Sequence, residues 1–224
     1  MITLLKFYPI FLVSIFIDNK KFFYIYFLAI TSFIIIFYLD EIASTNENLI
    51  DMALLIAYGS RTMIRALFYL SDKYNFFLNE GNYEFYRNIS LLSLLIYSFI
   101  VTIFSYLSSF KTTETSLNSN EKLFLIGGSI YIGTFIFGAN ADYRLIFLLF
   151  TIPYIIELNN IYIKSILSFS IILSVNSFIF QSGEPDSIDY FLKAFLIFGC
   201  KFLIFTLYLI FFVKIFKKLN FLKL

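Results

Sequence analysis

FLKAFLIFGCKFLIFTLYLIFFV, residues 191–213, carries charge only at Lys193 and Lys201 and has the length needed to cross a bilayer. About 20 consecutive apolar residues, each rising about 1.5 Å in a helix, cover a hydrocarbon layer roughly 30 Å thick. The stretch therefore predicts a transmembrane helix. Directly after it comes KIFKKLNFLKL, with Lys214, Lys217, Lys218 and Lys223. A basic flank of this kind belongs on the cytoplasmic side of a span.

The rest of the chain has the same character. Of its 224 residues 60% are hydrophobic and 14% charged, with 32 Phe and 17 Tyr, against about 45–50% apolar and about 25% charged residues in ordinary soluble domains. A soluble fold of this size would have to wear much of that apolar area on its surface. Further apolar runs at residues 2–17, 22–39, 89–110, 123–139, 145–158 and 161–180 bring the expected count to about seven transmembrane helices. The fold class expected is an all-α integral membrane protein, a single polytopic domain over residues 1–224, in a bacterial inner membrane with its C-terminus cytoplasmic. The first run lacks a basic leader and a small-residue cleavage site, so it reads as a retained helix.

Alternating the spans backwards from the tail sets Lys20, Lys21, Lys111, Lys122 and Lys164 on the cytoplasmic side. Asp40, Glu41 and the loop QSGEPDSIDY fall on the outer side. Residues 49–70, LIDMALLIAYGSRTMIRALFYL, fit this alternation only if they do not cross. Their polar positions recur at helical spacing, which predicts an amphipathic helix lying at the outer interface, within an interfacial segment at residues 40–88.

Composition narrows the chemistry. His is absent and there is one Cys, Cys200, which excludes an internal disulfide, Cys-rich metal sites and imidazole acid-base work. A net charge of +2 is too small to imply nucleic-acid binding. Apolar flanks predict that Cys200 is a buried, inert thiol.

Polar residues stand out where two short arms meet, in GGSIYIGTFIFGANADYRLIFLLFTIP, residues 127–153. Arms of about 17 residues reach only about 25 Å, so the apex at Asp142 and Arg144 falls below the outer surface. Two readings fit: a charged cap between helices, or an outward pocket in which Asp142 binds or activates a polar acceptor and Arg144 holds an anion. Ser129 with Gly133, and Thr134 with Gly138, form small-xxx-small pairs suited to close helix packing. Pro153 predicts a break in the second arm.

The run GANADYRLIFLLFTIP, residues 138–153, resembles a segment of multispanning bacterial envelope proteins akin to lipid-linked-sugar glycosyltransferases. The resemblance extends over Glu121 to Tyr154 and implies that Asn140, Asp142, Tyr143 and Arg144 mark a site. It further implies that Asp40 and Glu41 are analogues of the acidic pair that such enzymes carry in an outward loop for metal or acceptor binding.

Read from the residues alone, Asp40 and Glu41 are either helix-end charges or part of the ligand set of a hard divalent cation, which would need further oxygen ligands. Arg61 and Arg65, one turn apart, suit anionic lipid head groups or a lipid-linked phosphate. Lys201, near the middle of its span, is costly in hydrocarbon and is expected to face the interior, paired or in contact with substrate. Asn176 is expected to hydrogen-bond across helices. The function expected is sugar transfer from a polyprenyl-linked donor to an envelope acceptor. The rival is a non-catalytic membrane partner, or a component of lipid or polysaccharide transport.

Overall fold

A computed structural model of the chain describes residues 57–58, 83–108, 116–137, 140–177 and 188–218. These residues form five α-helices: α1 (Tyr83–Ser108), α2 (Ser119–Phe137), α3 (Ile152–Ile156), α4 (Ile161–Val175) and α5 (Ile188–Lys218). A 3-10 helix, Asp142–Thr151, runs into α3. Two dipeptide strands, β1 (Ala57–Tyr58) and β2 (Asn140–Ala141), pair antiparallel.

The centre of the bundle is α2, apolar on all sides and buried at Phe124, Leu125, Ile130, Tyr131 and Phe135. Its start is fixed by a reciprocal capping box. Asn118 Oδ1 accepts the Glu121 amide at 2.7 Å, and Glu121 Oε2 accepts the Asn118 amide at 2.9 Å. Along one side α2 meets the 3-10 helix, where a Cβ on Gly127 would run into the Phe147 carbonyl oxygen. Next to it, a Cβ on Gly128 would come within 2.8 Å of the Phe212 ring on α5. The paired glycines thus let α2 approach both neighbours. The serine and threonine hydroxyls of the expected small-residue pairs turn back onto their own helix, Ser129 to the Ile126 carbonyl and Thr134 to that of Ile130.

The 3-10 helix follows from its burial pattern. Leu145, Leu148 and Thr151 are buried while Ile146, Leu149 and Ile152 are exposed, a repeat of three that matches the three residues per turn of this helix. Pro153, in the first turn of α3, needs no amide partner there and has a φ already suited to an α-helix.

Cross-helix contacts fix the directions. Tyr97 pairs with Thr206 at 3.0 Å, Ser105 donates to the Ile210 carbonyl, and Lys217 Nζ donates to the Tyr106 carbonyl at 2.7 Å. Advancing together, these contacts make α1 and α5 parallel. Glu121 at the start of α2 meets Lys218 at the end of α5, so α2 runs opposite to both. On α4, Ser170 and Ser174 are buried one turn apart, small enough to admit its neighbours α5 and the 3-10 helix.

This architecture overturns the expected seven-span fold and the multispanning description that went with it. Among the described residues only Asn88–Ser108 and Leu192–Lys218 are long and apolar enough to cross a membrane. The run at 145–158 divides into a 3-10 helix and a five-residue α3. That at 161–180 yields a helix of 15 residues, about 22 Å at 1.5 Å per residue and short of roughly 30 Å. The run at 123–139 is the buried core helix α2. An apolar run signals burial, and for α2 protein supplies it, whereas α4 and the 3-10 helix with α3 each keep an exposed apolar face. The helix expected over residues 49–70 is also corrected, because Ala57 and Tyr58 are extended and paired with Ala141 and Asn140. The runs at 2–17 and 22–39 lie outside the described residues.

Candidate functional site

The turn between α2 and the 3-10 helix carries the residues singled out by sequence. Asn140 belongs to β2, and Asp142, Tyr143 and Arg144 form the first turn of the 3-10 helix. Register pairs Tyr58 with Asn140 and Ala57 with Ala141. The stretch preceding Arg61 and Arg65 is thereby held, backbone to backbone, against the stretch preceding Asp142 and Arg144. Arg61, Arg65, Asp40 and Glu41 themselves lie outside the described residues.

Lys201 is on the buried stripe of α5, with Ile197, Ile204, Phe205 and Tyr208, and is fully enclosed. The Tyr131 hydroxyl donates to its backbone carbonyl at 2.8 Å, tying it to α2. From Tyr131 to the end of α2 at Phe137 the helix rises about 9 Å. Lys201 is thus placed below the turn, within the core. Rings stack around this level, with Phe135 parallel to Phe205 at 4.6 Å and tilted against Phe198 and Phe202. About two turns past Lys201 along α5, the Tyr208 hydroxyl pairs with Thr151 Oγ1, which also approaches the Leu148 carbonyl. Cys200, beside Lys201, is half-buried. Asn176 caps the end of α4 through the Ile172 carbonyl, at 2.8 Å from its side chain.

A second polar group, not foreseen as a unit, closes the opposite end of α2. Lys218 Nζ lies 3.0 and 3.1 Å from the two Glu121 oxygens, and both side chains are largely buried. Glu157 accepts from the Asn120 amide and, at 3.5 Å, from that of Asn118. Tyr154 packs its ring on Phe124 and Phe211. Burial, followed by the charges of Glu121 and then Glu157, pushes its phenol up to about 12. The sequence held one signal for this group, the spacing of Asn118 and Glu121 ahead of an apolar run. The partners Glu157 and Lys218 are too distant along the chain to be read from spacing.

Among the described residues no three Asp, Glu or Cys side chains converge in a way that would hold a metal ion. Comparison of the chain with protein families, curated proteins and solved structures gives no match in any of the three.

Proposed function

We propose that this chain works in a membrane and transfers a sugar from a polyprenyl-linked donor to an envelope acceptor. The observation that carries the reading is the β1–β2 pairing, which joins the two stretches bearing the candidate acceptor and phosphate residues. The sequence resemblance of residues 138–153 to lipid-linked-sugar glycosyltransferases supplies the substrate class. In the proposed reaction an acceptor hydroxyl attacks the anomeric carbon and its proton passes to Asp142. The bond from that carbon to the phosphate oxygen breaks, and the polyprenyl phosphate leaves with the electron pair. Arg144, Arg61 and Arg65 would hold its charge, Asn140 and Tyr143 would orient the sugar, and Lys201 would lend positive potential from below.

A membrane setting is supported by the surface of α1. In the apolar stretch of Asn88–Ser108 only 11% is buried, whereas the core helix of a soluble protein would be mostly enclosed. The same surface favours a second reading, a non-catalytic membrane partner that binds other proteins through α1.

Purified protein would be given a panel of sugars on polyprenyl phosphate and pyrophosphate, beside Asp142→Ala and Arg144→Ala. Transfer by the parent, with losses of about 100-fold or more in both variants, is expected for a proton acceptor and a phosphate clamp. Folded parent that transfers no sugar across the panel rules out the enzyme reading and leaves the partner. Activity that survives either substitution removes that residue from the mechanism.

A further inference from the structure

The end of the bundle where α1 and α5 finish, and α2 and α4 begin, gathers lysines from three helices. Lys122 is in the first turn of α2, Lys164 in the first turn of α4, and Lys214, Lys217 and Lys218 are in the last turns of α5. The carboxylates facing them among the described residues are Glu121 and Glu157, so positive charge is in excess. Two of these lysines close the ends of helices, Lys218 on Glu121 and Lys217 on the Tyr106 carbonyl and ring. Lys122 and Lys214 are exposed, and Lys164 is partly so.

The same end of the bundle also carries uncovered apolar side chains. Phe104 and Leu107 on the last turns of α1 are 74% and 76% exposed, and Ile161 and Tyr162 at the start of α4 are 61% and 78% exposed. Basic groups at the same end as uncovered apolar and aromatic side chains match a bilayer boundary, with acyl chains against the apolar side chains and phosphates at the lysines. Nucleic acid or an acidic peptide would leave these apolar side chains in water. We infer that this end is a binding surface for anionic phospholipid head groups, engaged by Lys122, Lys164 and Lys214. The inference rests on the membrane setting proposed above and adds a lipid preference to it.

The test is thermal unfolding of the protein in zwitterionic detergent, titrated with phosphatidylglycerol, phosphatidylcholine or inorganic phosphate. Phosphatidylglycerol should raise the Tm of the parent, salt should weaken the rise, and the other two additions should leave the Tm unchanged. Lys122→Gln/Lys164→Gln/Lys214→Gln should bind phosphatidylglycerol on the order of 100-fold more weakly, from about fivefold per lysine. Lys193→Gln, at the other end of α5, should behave as the parent. If the triple variant fails to fold, Lys214→Gln alone should show the fivefold loss. Equal response to both lipids, or a parent-like triple variant, overturns the inference while leaving the membrane setting intact. Protein that stays in solution without detergent and does not sediment with membranes overturns both.

Discussion

Glu121 performs three tasks with one carboxylate: it completes the capping box of α2, neutralises Lys218, and sets negative charge at the positive end of the helix dipole. Removing one partner of a largely buried pair costs about 3–5 kcal/mol, because the remaining charge is stranded, whereas losing a cap costs about 1 kcal/mol. Urea unfolding should therefore rank Glu121→Ala below Glu121→Gln, with Asn118→Ala mildest, and Glu121→Gln/Lys218→Met should recover part of the loss. No recovery in the double variant would mean that pairing is not what Glu121 contributes. The glycines divide by what they touch. At Gly127→Ala the new methyl meets a backbone carbonyl that cannot turn aside, so overpacking of about 1–3 kcal/mol outweighs the helix propensity gained, about 1 kcal/mol. At Gly128→Ala the obstacle is the edge of the Phe212 ring, which can shift, and the two effects should nearly cancel. A Tm for Gly127→Ala as high as that for Gly128→Ala would show that the 3-10 helix yields. Tyr154, outside the two long apolar helices, keeps its proton in the fold until about pH 12, while an unfolded tyrosine loses it near pH 10. Its contribution is thus constant below pH 10 and falls as the pH rises from 10 through 12. Tyr154→Phe should flatten that part of the stability profile, and an unchanged slope would remove Tyr154 as its source. At this scale the sequence was partly legible: Asn118-x-x-Glu121 announces a cap, whereas the Lys218 partner depends on how α5 folds back.

Among the elements, α1 and α5 were readable because each is a long apolar run whose identity does not depend on a neighbour. Flanking polar residues join the helices, so α1 starts at Tyr83, ahead of the expected 89, and α5 runs from Ile188 to Lys218, past both ends of the expected 191–213. For the shorter runs hydropathy reports that a segment leaves water and is silent on whether lipid or protein receives it. Periodicity held more information there, as the spacing of Leu145, Leu148 and Thr151 follows a 3-10 helix. The two faces of α1 should respond oppositely to substitution. Phe99 and Phe104 are 67% and 74% exposed, so exchange for Leu should change little in a bilayer, whereas Phe99→Arg should cost about 2.5–3.5 kcal/mol of insertion. Tyr97→Phe, on the packed side, loses only the bond to Thr206, about 0.6 kcal/mol by membrane double-mutant cycles. A membrane-insertion assay that finds Phe99→Arg inserted as efficiently as the parent would show that this face does not meet lipid.

For the whole molecule, the arrangement couples a polar end that is closed to a turn where two distant stretches of chain meet. At the closed end Asn118, Glu121, Glu157 and Lys218 satisfy one another and pin the end of α5 to the beginning of α2. At the other end β1 meets β2 beside Asp142. Spacing could locate Asp142 and Arg144 as polar interruptions, but the pairing of residues 57–58 with 140–141 is long-range and invisible to any local pattern. Parallel α1 and α5 then make a demand on topology that does not depend on the reaction. If both cross the bilayer, their starts lie on one side and their ends on the other, with the lysine-bearing ends expected on the cytoplasmic side. In a Cys200→Ser background, single Asn88→Cys and Lys193→Cys variants should react with an impermeant maleimide from outside intact cells. Ser108→Cys and Lys214→Cys should react only after the membrane is opened. Labelling of both ends of either helix from outside would mean that the helix does not cross. Labelling of α1 and α5 from opposite sides would require a packing different from the Tyr97–Thr206 and Tyr106–Lys217 contacts that make the two helices parallel.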